Sequence, residues 1–297
     1  MTAALDRWLQ QQLGTPVRRR SPVGGGCIHS AWCLELGDGR RLFAKTNRTV
    51  ALPLLEAEAE GLQALAEVAP PGLTVPAPLL CGRGADQAVL VLTWLDLGRS
   101  GGAESWQQLG RSLAQLHRRS LSAVDGQGRF GWGRDNFIGS NRQPNGWASN
   151  WAGFFCQQRL GYQLQLASGS GLLFPGAERL LRVAEAWLRD HAPEPVLVHG
   201  DLWSGNAAVL AAGGAALFDP AVHRADREVD LAMARLFGGF PETFFAGYAQ
   251  EWPLPAGHRQ RVELYNLYHL LNHANLFGGG YEQQAQQSIA ALLGSLA

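Results

Sequence analysis

Residues 196–210 read VLVHGDLWSGNAAVL, a polar loop between two apolar runs. Turn-forming residues alone would account for a hairpin loop there. The spacing points further, because His199, Asp201 and Asn206 reproduce the pattern His-x-Asp-x-x-x-x-Asn. In a kinase catalytic loop that aspartate takes the proton of an acceptor hydroxyl and that asparagine binds Mg2+. Thirteen residues past Asn206, the segment LFDP places Asp219 at the end of a strand-like run. Two hard oxygen ligands on neighbouring strand ends suit Mg2+, which keeps waters and takes phosphate oxygens.

Phosphoryl transfer also needs a cation on the phosphates and a backbone cradle, and the first hundred residues supply candidates for both. Of the 25 basic residues 24 are arginine, and Lys45 in RRLFAKTN is the single lysine. A bias toward arginine codons explains the depletion but not the exception. Upstream, VGGGC supplies Gly24, Gly25 and Gly26, which allow a backbone to approach phosphates closely. Residues 53–68 predict a helix entered through Pro53. Leu55, Ala59, Leu62 and Leu65 share its apolar face, and Glu56, Glu60, Gln63 and Glu67 the opposite one. Glu58 breaks that pattern by pointing with the apolar side, and an inward carboxylate needs a cationic partner. Lys45 is the natural one. After the run AVLVL, Thr93, Trp94 and Leu95 are expected to offer backbone groups to adenine.

These residues need a scaffold. Residues 15–47 read as strand, Gly-rich turn, strand, GDG turn and strand, and residues 75–98 add two more strands. LGRSGGAES is the candidate linker. Beyond it helical periodicity dominates: a stripe of Trp106, Leu109, Leu113, Leu116 and Leu121, an aromatic-rich helix from residue 147, another from 176, and two more over 256–277 and 281–296. The expected fold is α+β and two-lobed, with a small β-rich lobe over residues 1–95 and a mainly helical one over 96–297. Net charge is zero with 17% charged residues, so no basic field favours nucleic acid or an anionic membrane. No apolar run is long enough to span a bilayer and the N-terminus lacks a signal pattern, so a cytoplasmic protein is expected. Cys27, Cys33, Cys81 and Cys156 show no metal-ligand spacing and read as reduced thiols.

At these residues the chain resembles the fructosamine (ketosamine) kinase family, related to aminoglycoside and choline kinases within the protein-kinase-like fold. The resemblance rests on HGDLWSGN with Trp203, on FGWGRDNFIGSNRQPNGWASNWAGFFCQQRLGYQL, and on the stretch from Asp219 to Tyr248. It runs from about Val17 to Tyr281. It implies ATP- and Mg2+-dependent phosphorylation of the 3-hydroxyl of a ketosamine, whose labile phosphate then frees the amine. By the same resemblance Asp201 is the base, Asn206 and Asp219 are metal ligands, Lys45 and Glu58 are a pair, and Asp230 buttresses the loop. Small ketosamines or glycated protein amines are the implied partners of a monomer or weak homodimer.

Other residues carry looser expectations. Trp203 could stack on a sugar face or be a core aromatic. Asn136, Gln143, Asn145 and Trp147 are acceptor-pocket candidates, with loop capping the alternative for the amides. His199 is expected to hold the loop. His223 and Arg224 follow the metal aspartate closely enough to touch substrate or phosphate, or form a surface pair. His269 and His273 lie four apart on a helix and read as structural, and Cys27 as a thiol of the phosphate loop. An aminoglycoside- or choline-type kinase is the alternative activity, weakened by the absence of clustered acids in the C-terminal half. A nucleotide-binding pseudoenzyme is a third reading, and the full set of site residues opposes it.

Overall fold

The structure, a computed structural model, describes residues 3–24, 28–98, 101–122 and 128–296. Its first third contains α1 (Ala3–Leu13), β1 (Val17–Val23), β2 (Ser30–Leu36), β3 (Arg41–Arg48), α2 (Leu52–Val68), β4 (Leu73–Thr74), β5 (Pro78–Gly84) and β6 (Gln87–Thr93). Five of the strands form an antiparallel sheet in the order β1-β2-β3-β6-β5. Along β6 successive side chains reach opposite faces. Val89 and Val91 join Leu34, Leu36 and Leu42 against Leu5 and Leu9 of α1. Ala88, Leu90 and Leu92 meet Leu55, Ala59 and Leu62 of α2. A strand covered on both faces needs the continuous apolar run AVLVL. The same alternation sends Lys45 of β3 to the α2 side, two residues from Phe43.

The remainder is mainly helical. It comprises α3 (Ala103–Ser120), a hairpin of β7 (Asn136–Ile138) and β8 (Asn141–Gln143), and a helix begun by α4 (Trp151–Gly153). That helix continues through a π-helical stretch, Phe154–Gly161, into α5 (Tyr162–Gly169). Next come α6 (Ala177–Leu188), β9 (Val196–Val198), β10 (Ala207–Val209), β11 (Ala215–Leu217) and β12 (His223–Ala225). The chain closes with α7 (Glu228–Leu236), α8 (Glu242–Glu251), α9 (His258–Phe277) and α10 (Gly280–Ser295). The polar loop leaves β9 and enters β10, which pairs with β11; the residues after β11 return as β12 to pair with β9. That circuit sets Asp201, Asn206 and Asp219 side by side.

Three helices were not anticipated. α1 lies in a segment whose glutamines mask its Leu5–Leu9 spacing, and α7 and α8 lie in a stretch broken by Gly238, Gly239 and Pro241. α8 even carries an internal glycine. Packing explains it: a Cβ on Gly247 would come within 2.1 Å of Gln107 O, and one on Gly110 of α3 within 1.9 Å of Phe244 O. The two helices touch backbone to backbone at paired glycines. Gly110→Ala or Gly247→Ala should therefore lower stability by about 1–3 kcal/mol through overpacking. A thermal melt checks this against Gly102→Ala, where a Cβ meets nothing within 4 Å and the melting temperature should hold.

Candidate active site

Lys45 is 6% exposed, and its Nζ lies 2.8 Å from Glu58 Oε1 and 2.6 Å from Asp219 Oδ1. Burial favours the neutral amine, but the two carboxylates outweigh it and raise the lysine pKa. Burial likewise pushes the Glu58 carboxyl up, to about 7, with Lys45 pulling it down. Asp219 sits at φ +57°, in the left-handed region that aspartate enters more readily than most residues. Its side chain is 42% exposed, so the carboxylate reaches the cleft as well as the lysine.

The polar loop is held from beneath. Asp230 of α7 accepts hydrogen bonds from the backbone N–H groups of His199 (2.7 Å) and Gly200 (2.9 Å). His117 of α3 bridges Asp230 and the Tyr248 hydroxyl. Burial works against the charge on Asp230, yet the His117 and backbone contacts overcome it and hold the carboxyl below its ordinary range. His199 accepts from Asp201 N through Nδ1 and therefore donates through Nε2 to Phe218 O. It ties the loop to the strand end that carries Asp219, as the sequence suggested.

Asn206 donates through Nδ2 to Asp201 O at 2.9 Å, Asp201 Oδ2 at 3.2 Å and Asp219 O at 3.4 Å. No donor among the described residues is shown on its Oδ1, so that oxygen could face a cation. With the Asp219 carboxylate it makes a pair of hard oxygens that fits Mg2+. Burial and the neighbouring Asp219 charge push the Asp201 carboxyl up to about 7, against the pull of Asn206. After β6, the Thr93 N–H donates to Ala77 O, and no backbone hydrogen bond of Trp94 or Leu95 is shown among the described residues. Gly24 has open space where a Cβ would be, while Gly25, Gly26 and Cys27 lie outside the described residues.

Two acceptor candidates are corrected. Asn136 is buried, donates to Val222 O and accepts from both Gln143 and Asn145. Arg159 closes that network by reaching Asn145 Oδ1, and Tyr268 by reaching Gln143 Oε1. These amides brace the segment after Asp219 from behind. His223 is buried too, bonded to Ala221 O and tilted against Phe154, with burial and Arg159 holding it well below the usual histidine range. Arg224 turns to Ser120 O and Pro195 O, and Trp147 packs under Arg129. Trp203 remains more than one-third exposed on the loop. Among the described residues His269 and His273 bring no third ligand together. The group of three metal-capable side chains among the described residues, His191, Asp226 and Glu228, is already engaged by Tyr265 and Arg261.

The family model for fructosamine kinase matches residues 1–295. The chain belongs to the fructosamine kinase family. It is 46% identical over 287 residues to a protein of Synechocystis assigned as a ketoamine kinase, covering 96% of this chain and 94% of the relative. It is 36% identical to the chloroplastic protein-ribulosamine 3-kinase of Arabidopsis thaliana, over 95% of this chain and 84% of the relative. A solved structure assigned as a fructosamine-3-kinase of Haemophilus somnus superposes with TM-score 0.86 at 27% identity, covering 98% of this chain and 97% of its own. The fold is the two-lobed protein-kinase-like one, and the chain is a phosphotransferase with an alcohol group as acceptor.

This fructosamine kinase also holds α2 from the side away from Lys45. Glu60, which periodicity assigned to a solvated face, accepts from Trp132 Nε1 at 2.8 Å and pairs with Arg134 Nε at 2.5 Å. Gly61 packs on Pro220 and Val222, just past Asp219. His29 is another residue that the sequence reading passed over. It bonds Asn47 at the end of the Gly-rich turn, and burial together with the Lys45 charge lowers its pKa to about 4, so it is neutral there. The loop's rigidity rests on Asp230, which gives a direct expectation. Asp230→Asn leaves one of two buried backbone N–H groups without an acceptor and should cost about 1–3 kcal/mol. Chemical denaturation with parallel turnover measurements checks it: stability and turnover should both fall, and an unchanged midpoint would refute the buttress.

Proposed function

We propose that the chain transfers the γ-phosphoryl group of ATP to the C3 hydroxyl of a ketosamine. The observation that carries this reading is the convergence of Asp201, Asn206, Asp219 and Lys45 in a chain matched by the fructosamine kinase model along nearly its whole length. That match does not favour the alternative of an aminoglycoside- or choline-type kinase.

In this reading Asp201 accepts the proton as the C3 oxygen bonds to the γ-phosphorus and the bond from phosphorus to the β,γ-bridging oxygen breaks, releasing ADP. Lys45, held by Glu58, lies against the α- and β-phosphates. Asn206 Oδ1 and the Asp219 carboxylate would hold Mg2+, which when bound offsets the charge of the phosphates. Gly24–Gly26 pass over the phosphates, and Trp94 and Leu95 meet adenine. Trp203 offers its indole to the sugar. The nucleotide-binding lobe is taken as residues 1–95 and the catalytic lobe as 96–297. The 3-phosphate of a ketosamine is labile and frees the amine, so the activity would reverse glycation. No helix among the described residues is long and apolar enough to cross a membrane.

Incubation with ATP, Mg2+ and a ribulose- or fructose-amine should yield a sugar phosphate by phosphorus NMR. No product from any ketosamine, beside robust phosphorylation of another alcohol, would overturn the reading. Asp201→Asn should keep nucleotide affinity near that of the unmodified chain while turnover falls by about 10²–10⁴-fold, the usual worth of a general base. Turnover within a factor of a few would remove Asp201 from that role.

A further inference from the structure

Beside the catalytic loop lies a cluster of four rings that the chemistry above does not use. His273 of α9 is at its centre, with ring centroids 4.9 Å from Phe237, 4.9 Å from Tyr281 and 5.5 Å from Phe277. Phe237 is 37% exposed and Phe277 58%, so two of the four rings face solvent. Two contacts tie the segments flanking this cluster to the site. Gly239, two residues past Phe237, abuts Ser204 so closely that a Cβ would come within 2.4 Å of its side chain. Leu276, beside Phe277, packs on Gly139, whose added Cβ would also meet Ile28 at 3.7 Å, just past the Gly-rich turn. On the preceding turns of α9, burial raises the pKa of the Tyr268 phenol, Arg159 opposes, and the Asp201 charge adds to the rise. α9 thus packs on the β7–β8 turn beside Ile28, and the segment after Phe237 packs on the catalytic loop.

The charge of these segments is one-sided. Residues 197–206, 236–241 and 266–284 contain Asp201 and Glu282 but no lysine or arginine, in a chain with 25 basic residues. Arg235, next to the rim in sequence, is turned to Glu242 and the Phe245 ring. Arg142 on the neighbouring hairpin is tied to Asp135. His273 donates its Nδ1 proton to His269 O, and burial lowers its pKa, so it adds an aromatic face rather than a charge.

We propose that Phe237, His273, Phe277 and Tyr281 form the subsite for the amine-bearing part of the acceptor, taking a secondary ammonium and the aliphatic stem behind it, as in a lysine side chain. This rests on the ketosamine reading above. The nitrogen of a ketosamine is four bonds from the C3 oxygen, so with that oxygen at Asp201 the ammonium lies next to the loop and the carrier continues outward. Aromatic faces attract cations and cover methylene stems. Because the outer rings are exposed, the carrier leaves toward solvent, which suits a lysine within a peptide or protein as well as a free amine.

The test compares kcat/KM for the ribulosamine of Nα-blocked lysine with that for the ribulosamine of methylamine, by ADP release. The unmodified chain should prefer the lysine derivative, and Phe277→Ala should cut the preference about fivefold, mostly through KM. Leu173→Ala, which removes a 73% exposed apolar side chain elsewhere, should leave the preference intact. A thermal melt accompanies each variant. If both ketosamines are turned over but Phe277→Ala and Phe237→Ala leave the preference as it was, the rim is overturned and the ketosamine reading stands. If the unmodified chain turns over neither, the ketosamine reading fails and the rim fails with it.

Discussion

One buried ammonium organises this molecule. Lys45 on β3 contacts Glu58 on α2 and, 174 residues further along, Asp219 at the end of β11. An ammonium cannot be taken out of water without partners, and the two carboxylates offset that cost together. The β-sheet, its covering helix and the strand end of the helical part must therefore meet at one point. α2 is held there from both flanks, because Glu58 faces the lysine while Glu60 engages Trp132 and Arg134. Gly61, between those flanks, permits close packing on Pro220 and Val222.

The helical part serves the same point. Asp230 fixes the backbone at His199 and Gly200, and His117 fixes Asp230. Behind the segment after Asp219, Asn136, Gln143, Asn145, Arg159 and Tyr268 are linked in a buried network in which Arg159 Nε alone of the named side chains has an unpaired donor. Linked hydrogen bonds of this kind stiffen the groups they join. The catalytic loop is thus backed by two independent polar supports before any ligand arrives, and preorganised groups spend less energy on rearrangement during reaction.

What was legible in the sequence was local or rule-breaking. His199, Asp201 and Asn206 stand within one loop, so their spacing survives folding. Glu58 and Lys45 were legible as exceptions, one a carboxylate on an apolar face and the other a single lysine among arginines. Contacts between distant segments left weaker traces. Glu60 follows the polar periodicity of its helix faithfully, and nothing local shows that Trp132 and Arg134 will meet it. α8 was hidden because Gly247 lowers helix propensity, although the same glycine lets α3 approach. His223 was placed at the acceptor because it follows Asp219 closely, and Asn136 because it is a polar residue of the family-like stretch. In the fold both are buried behind the loop.

The account stands or falls on what Lys45 does between its two carboxylates. Arginine keeps the charge but is planar and bulkier, so it cannot occupy the same gap while both Glu58 and Asp219 stay in place. The decisive measurement is steady-state turnover of Lys45→Arg with a ketosamine acceptor, beside a thermal melt. A fall of about tenfold or more in turnover, near 1.4 kcal/mol of transition-state stabilisation, in a protein that still melts cooperatively, is the predicted result. Unimpaired turnover would show that a positive charge alone suffices at this position, and would contradict the three-way contact as the organising constraint of the site.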